Sequence, residues 1–241
     1  MQKNLLALLR ILKKSYGSQH WWPANTPFEV AVGAILTQNT SWANVERAID
    51  LLKKAKLLSP KKMFRAPSRI LLRCLRPAGF FNIKAKRLKN FLDFLFVEYG
   101  GSLKRLFAQP TANLRQKLLN VNGIGPETAD SIILYAAEKP IFVVDAYTKR
   151  IFSRIGSIRE TDSYDQVQGY FMRSLPGKTA LFNEFHALIV EHAKRFCRVK
   201  PICDPCPLRL HCRFAKHLST KEQVISTTRL LFGGEEKSRL A

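Results

Sequence analysis

The chain has few acidic residues and no long apolar run. It carries 18 aspartates and glutamates against 40 lysines and arginines, which leaves a formal charge of +22 over 241 residues. No stretch of about 18 or more apolar residues occurs, so the sequence predicts neither a membrane-spanning helix nor a membrane partner. Strand-like alternation of apolar and polar residues is nearly absent as well. These absences favour a basic, all-α protein.

The positive charge is concentrated in one part of the chain. Between Lys53 and Lys117 there are 17 basic residues and only two acidic ones, interleaved with phenylalanines. A solvated surface is the alternative interpretation. Like charges at this density repel one another unless a polyanion neutralises them, however, so the sequence favours a nucleic-acid partner.

The amino-terminal segment favours a cytoplasmic protein over a secreted one. The apolar run Leu5–Leu9 is too short for a secretory signal, and no small-residue cleavage site follows it. A mitochondrial transit peptide is the alternative, because the first acidic residue is Glu29, but serine and arginine are not enriched. Leucines recur at helical spacing from Leu5 to Leu12 and predict a first helix packed on the body. In the cytoplasm, cysteines are expected to be metal ligands or core thiols and not to form disulfides.

Helical patterns account for much of the chain. Thr26-Pro27-Phe28-Glu29 predicts a helix start with a capping threonine, a first-turn proline and a glutamate that reaches back. The segment that it opens, PFEVAVGAILT, is apolar on nearly all sides and is expected to be buried. Further helices are predicted at SWANVERAIDLLKKAK, RAPSRILLRCL, KAKRLKNFLDFLFVEY, TANLRQKLLN, PETADSIILYAA and AYTKRIFSRIG.

Two glycines separate a pair of these predicted helices. Gly123 and Gly125 lie between TANLRQKLLN and PETADSIILYAA, and Pro126 takes the first position of the second helix. Glycine allows positive φ and close approach, and the N–H groups of a helix N-terminus attract an anion. An ordinary helix-turn-helix corner has the same pattern. The basic neighbourhood favours a helix-hairpin-helix that grips a DNA phosphate without reading sequence.

Four of the five cysteines are clustered near the carboxyl end. They are Cys197, Cys203, Cys206 and Cys212, with the spacing C-x5-C-x2-C-x5-C. Thiolates this close predict a shared metal. A structural zinc site usually has two close pairs of cysteines, and this spacing contains only one, so it favours a [4Fe–4S] cluster with zinc as the alternative. Cys74, alone in LLRCLRPAG, is expected to be a core thiol.

Together these motifs resemble the endonuclease III superfamily of DNA glycosylases. The resemblance rests on Gly123-x-Gly125, on Asp145 twenty residues after the second glycine, and on the clustered cysteines. It runs from about Trp22 to Cys212. The family's cysteine pattern is C-x6-C-x2-C-x5-C, one residue longer in its first loop. HWWPANTPFE, VNGIGPETAD and VVDAYTKR are most similar to the branch related to 3-methyladenine DNA glycosylase III.

The resemblance implies a two-lobed all-α glycosylase with DNA across its cleft. Residues 24–139 are expected to form a helical barrel, and residues 1–23 with 140–215 a second lobe that carries the iron–sulfur loop. Residues 216–241 are an unassigned tail. The expected partner is double-stranded DNA with a damaged base, which is flipped into the cleft. The protein is expected to be monomeric and nucleoid-associated.

Asp145 is the predicted catalytic residue. Glycosidic cleavage passes through an oxocarbenium-like sugar, and a nearby carboxylate stabilises the cation or activates water. An N-cap for AYTKRIFSRIG is the structural alternative, and both roles can hold at once. Glu127 stands where the resemblance places the Schiff-base lysine of bifunctional members, so we expect no lyase activity. Lys149 is the substitute nucleophile to consider.

The resemblance also assigns pocket and DNA-binding residues. Gln38 is expected to probe the gap left by a flipped base, and residues 79–88, GFFNIKAKRL, to form a DNA-wedging turn. The candidate pocket residues are Glu127, Gln38, Trp42 and Tyr147, with Trp21, Trp22, Phe80, Phe81 and Tyr135 as further candidate aromatic walls. The predicted DNA-binding residues are Gly123, Gly125, Gln38, Phe81, Asn82, Lys84 and Lys149.

The substrate is expected to be an alkylated purine, because a cationic base gains cation–π attraction between aromatic rings. Oxidised pyrimidines and mismatched thymine are the alternative substrates. The rival from another class is a non-catalytic helix-hairpin-helix DNA-binding iron–sulfur protein, and a redox-sensing DNA protein is a third hypothesis. The joint presence of Asp145 and Gln38 favours the enzyme.

Overall fold

The computed structural model describes residues 4–218, and the regular elements among them are all helices. The all-α prediction is therefore confirmed for this part of the chain. The extended run Ile141–Val144 is buried and pairs into no sheet. Within the described part, no helix is long and apolar enough to cross a membrane. Most of the tail predicted at 216–241 lies outside the described residues.

The helices follow one another with short connections. In chain order they are α1 (Leu5–Tyr16), α2 (Pro27–Leu36), α3 (Trp42–Lys54), α4 (Pro60–Phe64), α5 (Ser68–Leu75), α6 (Phe81–Tyr99), α7 (Leu103–Phe107), α8 (Thr111–Leu119), α9 (Pro126–Ser131), α10 (Ala146–Ile155), α11 (Tyr164–Ser174) and α12 (Thr179–Arg195). Short 3-10 turns occupy Arg76–Ala78 and Arg209–His211, and a π-helical turn, Ile132–Ala136, continues α9.

The described residues divide into two compact units. The first unit comprises residues 4–19, 144–175 and 187–218, and the second comprises residues 20–143 and 176–186. The assignment of residues 24–139 to a barrel, and of 1–23 with 140–215 to a second lobe, stays a prediction.

Helix α2 is central to the second unit. It contacts α3, α6, α9 and the π-helical turn, and every residue from Phe28 to Leu36 is buried. Its start follows the sequence pattern, because Thr26 Oγ1 accepts a hydrogen bond from the Glu29 amide at 3.1 Å. The Glu29 carboxylate reaches back to the Asn25 amide at 3.2 Å and also pairs with Lys53 at 2.6 Å. An apolar helix with satisfied ends can therefore lie inside the unit.

Helices α1, α10 and α11 belong to the first unit. Leu5, Leu8 and Leu12 of α1 are buried, which confirms the packed first helix. Helix α11 begins with a complete capping box between Ser163 and Gln166. Helices α4, α7, α11 and α12 were not anticipated from the sequence.

Candidate functional site

The two glycines lie in the turn between α8 and α9, and they differ in what they permit. Gly123 has a φ of +95°, and a Cβ atom there would collide with the Arg87 side chain at Cγ. Gly125 has a φ of −91°, and a Cβ atom there would meet nothing within 4 Å. Conformation and packing therefore both require glycine at 123, whereas Gly125 only keeps the hairpin surface open.

The amide of Gln38 is bonded to this hairpin through its nitrogen and to α6 through its oxygen. Its Nε2 donates to the Gly123 carbonyl at 3.0 Å and to Thr128 Oγ1 at 2.8 Å. Its Oε1 accepts a hydrogen bond from the guanidinium of Arg87. Asn90, one helical turn after Arg87, donates to the Asn122 carbonyl at 2.9 Å. The structure thus brings together the predicted candidates Gln38 and Gly123. It adds Arg87, which lies in the predicted wedging turn, and Asn90, whose sequence signal was its i, i+3 spacing from Arg87.

The predicted wedging turn presents an apolar side chain at the surface. Phe80 adopts a φ of +45° immediately before α6 and is 65% exposed, and Asn82 is exposed beside it. Lys84, predicted to bind DNA, is instead buried, and its Nζ donates to the Ala78 carbonyl at 2.7 Å. Burial, reinforced by the charge of Arg87, lowers the pKa of Lys84 to about 8. In this structure Lys84 therefore supports the turn from inside, and its amino group is not exposed to a phosphate.

Aromatic rings form a continuous cluster in the second unit. The Trp22 ring lies 5.0 Å from that of Trp42 and 5.2 Å from that of Tyr135, and Trp21 lies 5.5 Å from Trp42. Gly33 on α2 makes room for the cluster, because a Cβ atom there would lie 3.2 Å from Trp22. The cluster thus joins three tryptophans that are near one another in the sequence to the distant Tyr135.

A pocket of about 270 Å³ opens beside Trp22 and Trp42. Three carboxylates contribute to its lining, together with Lys53: Glu29, Glu46 and Asp50. Trp42 Nε1 donates to Glu46 Oε1 at 2.6 Å, which fixes one wall. The acidic lining contrasts with the strongly basic chain. Aromatic faces beside carboxylates attract a cation.

Asp145 caps helix α10 in the first unit. Its Oδ1 accepts hydrogen bonds from the Thr148 amide at 2.7 Å and from Thr148 Oγ1 at 2.8 Å. These bonds confirm the predicted N-cap and hold the carboxylate in one orientation. Tyr147 lies in the first turn with the Arg150 guanidinium 5.0 Å from its ring centroid, and Lys149 follows in the same turn.

The four cysteines line a single pocket in the first unit. Two arginines of α10 hold the segment at Cys197. Arg150 Nε donates to the Cys197 carbonyl at 2.8 Å, and Arg154 Nη1 donates to the Cys197 sulfur at 3.3 Å. The same Nη1 atom donates to the Arg198 carbonyl at 2.6 Å. Cys74 is buried elsewhere, in the second unit, as expected for a core thiol.

The cysteines influence one another electrostatically. Burial raises the pKa of Cys206 to about 11, and the three other cysteines of the cluster contribute to the increase. Burial and the charges of Cys212 and Cys197 also raise the pKa of Cys203. Four thiolates that line one pocket therefore need a positively charged group in order to stay ionised together. Within residues 4–218, no group of three or more histidine, cysteine or acidic side chains has the arrangement of a metal-ion site.

His192 is a polar residue in the wall of the cysteine pocket that the sequence did not single out. Its Nε2 lies 3.7 Å from the Cys206 sulfur, and its Nδ1 lies 2.8 Å from the Tyr16 hydroxyl. Burial lowers the pKa of His192 to about 4, so the imidazole is neutral near pH 7. Its position five residues before Cys197 was the sequence feature that could have identified it.

Comparisons with known proteins agree with these features. Residues 32–176 match the HhH-GPD superfamily base excision DNA repair proteins. A Methanocaldococcus jannaschii protein named as a DNA repair glycosylase is 52% identical over 206 residues, which cover 85% of this chain and 94% of that protein.

Two solved structures are similar to the chain. The H. pylori 3-methyladenine DNA glycosylase MagIII, solved with 1,N6-ethenoadenine, is 30% identical with a TM-score of 0.70, over 80% of this chain and 98% of that chain. An endonuclease III in a non-covalent DNA complex shares the fold at 22% identity with a TM-score of 0.77, over 91% and 99% of the two chains. The hairpin, the capping aspartate and these similarities together show that the chain belongs to the HhH-GPD superfamily and is an endonuclease III-like DNA N-glycosylase of base excision repair.

Proposed function

We propose that the enzyme acts as a monomer and releases an alkylated purine from double-stranded DNA without cutting the strand. The observation that carries the substrate class is the pocket beside Trp22 and Trp42. Its volume of about 270 Å³ is just below the range of about 300–1,000 Å³ that drug-sized ligands occupy, so it suits one aromatic base.

The lining of this pocket favours a base that carries positive charge. Alkylation of a purine ring nitrogen gives such a base, and each aromatic face attracts it by about 0.5–2 kcal/mol. The carboxylates of Glu46 and Asp50 add attraction that a neutral base does not experience. The H. pylori relative was solved with a modified adenine, which supports a modified purine as the substrate here.

Asp145 is proposed to supply the catalytic carboxylate. As the base leaves, positive charge develops on the sugar, and a fixed carboxylate stabilises that charge or directs a water molecule to the sugar. The two hydrogen bonds from Thr148 orient Asp145 before the reaction, so little reorganisation is needed. Glu127, exposed in the first turn of α9, cannot form a Schiff base, which supports glycosylase activity without lyase activity.

DNA is proposed to be held at two places on the second unit and at one residue of the first unit. The hairpin turn with Gly123 and Gly125 receives a backbone phosphate, and Gln38 lies directly against that turn. The exposed Phe80, with Phe81 and Asn82, forms the wedge between bases. Lys149 of the first unit is proposed as a phosphate contact.

A [4Fe–4S] cluster is proposed on Cys197, Cys203, Cys206 and Cys212. The donor set fits such a group, because four cysteine sulfurs line one pocket and thiolates are the usual ligands of iron–sulfur clusters. Zinc is the alternative metal, but a structural zinc site usually has two close pairs of cysteines, and this spacing contains only Cys203 and Cys206 as a close pair. When bound, the cluster would join the segments that carry its cysteines and supply a one-electron centre.

The substrate class is tested by base release from duplex oligonucleotides. One panel contains 7-methylguanine, 1,N6-ethenoadenine, an oxidised pyrimidine and thymine opposite guanine, and alkali treatment reveals each abasic site. Release of the alkylated purines above the other bases is expected. Preferential release of an oxidised pyrimidine or of mismatched thymine would instead show that one of the alternative substrates is correct.

The acidic lining is tested by Glu46→Gln. This change removes a charge while keeping the shape, so kcat/KM should fall about tenfold for cationic 7-methylguanine and much less for neutral 1,N6-ethenoadenine. Glu98→Gln is the matched control, because Glu98 pairs with Lys117 and does not line the pocket. An equal effect on both bases would contradict recognition of positive charge.

A further inference from the structure

A line of hydrogen-bonding groups connects the first helix to the cysteine pocket. Tyr16, the last residue of α1, places its hydroxyl 2.8 Å from His192 Nδ1, and His192 Nε2 lies 3.7 Å from the Cys206 sulfur. All three residues belong to the first unit. The glycosylase chemistry described above uses neither Tyr16 nor His192.

Surrounding side chains hold this line in place. His192 is 2% exposed, and its ring stacks on Phe196 with centroids 5.9 Å apart. The Tyr16 ring also stacks on Phe196, at 6.4 Å, and the Arg195 guanidinium lies 5.1 Å from the Tyr16 ring centroid. A buried imidazole packed in this way has little freedom to turn away from its two neighbours.

The chemistry of a metal-bound thiolate decides the direction of the hydrogen bonds. A cysteine sulfur that ligates iron carries no proton, so it can only accept. A neutral imidazole has one N–H, and that proton must then lie on Nε2, which faces the sulfur. Nδ1 is consequently the acceptor, and the Tyr16 hydroxyl donates to it. Each group in the line thus has one defined role.

We propose that Tyr16 and His192 form a hydrogen-bond relay that positions Cys206 as a cluster ligand and makes α1 part of the cofactor site. The relay rests on the cluster proposed above. Both are positioning residues, since they act through the Cys206 sulfur. Partners of this kind fix the orientation of a metal ligand, and their loss typically weakens metal binding about 10–100-fold.

The test measures how fast the full-length, cluster-loaded protein loses its visible absorbance to an iron chelator under anaerobic conditions. Iron and sulfide in the wild-type protein are measured first. His192→Leu, which removes donor and acceptor, should lose the cluster at least tenfold faster than wild type. His192→Gln should remain close to wild type, because its amide keeps one donor and one acceptor. Tyr16→Phe should lose the cluster several-fold faster, since Nδ1 then has no donor.

Tyr170→Phe is the matched control. Tyr170 is a half-buried tyrosine of the same unit whose ring packs against Phe171 and does not line the cysteine pocket, so the variant should lose its cluster at the wild-type rate. The reduction potential gives a second readout. Loss of an N–H···S bond should lower the reduction potential of the cluster in His192→Leu by at least about 28 mV. For a one-electron couple, this corresponds to a threefold change in the ratio of oxidised to reduced cluster.

Two outcomes would overturn the relay, and they differ in whether the proposed cluster is refuted as well. Wild-type protein without iron and sulfide would refute the cluster and the relay together. A loaded wild type whose His192→Leu and Tyr16→Phe variants match Tyr170→Phe in loss rate would refute the relay alone. If His192→Leu fails to fold, Tyr16→Phe removes only one oxygen atom and decides the question by itself.

Discussion

At the scale of single residues, the carboxylate of Asp145 caps α10 and is also the proposed catalytic group, and a substitution can separate these two roles. Asparagine caps a helix about as well as aspartate, so Asp145→Asn should keep the bond to the Thr148 amide and leave stability nearly unchanged. Removal of the negative charge should lower base release by at least about 10²–10³-fold, the effect of losing one electrostatic contact to the transition state. Single-turnover base release and duplex binding measure the two effects.

The control for this change is Asp165→Asn, because Asp165 is an exposed aspartate in the first turn of α11. It should retain full activity. Undiminished base release by Asp145→Asn would remove Asp145 from the mechanism.

Glu127 determines the second residue-scale prediction, which concerns the product. A glutamate forms no imine with the sugar, so the enzyme should leave an intact strand with an abasic site. Strand breaks should appear only after alkali or an added abasic-site endonuclease, and borohydride should trap no covalent protein–DNA complex. Robust trapping by the natural protein would contradict this account of Glu127, and Lys149→Ala would then identify the nucleophile.

At the scale of elements, the two glycines of the hairpin between α8 and α9 have different expected roles: Gly123 is needed for stability, and Gly125 for DNA contact. Gly123→Ala forces a positive φ on alanine and a Cβ atom against Arg87, so it should reduce the free energy of unfolding by about 1–3 kcal/mol. Gly125→Ala meets no atom, so stability should change by less than about 0.5 kcal/mol. It should still weaken duplex binding, because the methyl group lies where a phosphate approaches.

Thermal unfolding and duplex affinity of the two variants are the measurements. A Gly125→Ala protein with wild-type affinity would show that no phosphate approaches this turn.

Helices α4 and α7 and the π-helical turn show no helical period in the sequence. Helices α4 and α7 have five residues each, which is too short for a helical period to show. The π-helical turn Ile132–Ala136 lies in a fully buried segment, where an apolar run carries no periodicity. In contrast, the starts of α2 and α10 have local capping signals, and both were predicted correctly.

At the scale of the whole molecule, the net charge of +22 predicts salt-sensitive DNA binding. The logarithm of the binding constant should fall with the logarithm of salt by about 0.9 for each phosphate neutralised. Lys86→Ala with Lys89→Ala removes two exposed charges of α6 and should reduce that slope by about 2.

Lys13→Ala with Lys14→Ala is the matched control, since it removes the same charge from exposed positions of α1, outside the basic segment. It should leave the slope nearly unchanged. Equal effects of the two double variants on undamaged duplex would show that net charge, and not the segment Lys53–Lys117, governs binding.

The sequence by itself determined the features that depend on a few neighbouring residues. Helix caps, amphipathic faces and the Gly123 turn arise from hydrogen bonds and side chains within about four residues, so the all-α class and the Asp145 cap could be predicted. Tertiary structure alone decided the burial of Lys84, the bonds of Gln38 to the hairpin, and the acidic pocket beside Trp22 and Trp42. These depend on how separate elements pack against one another, and no local pattern specifies which side chains of different elements meet.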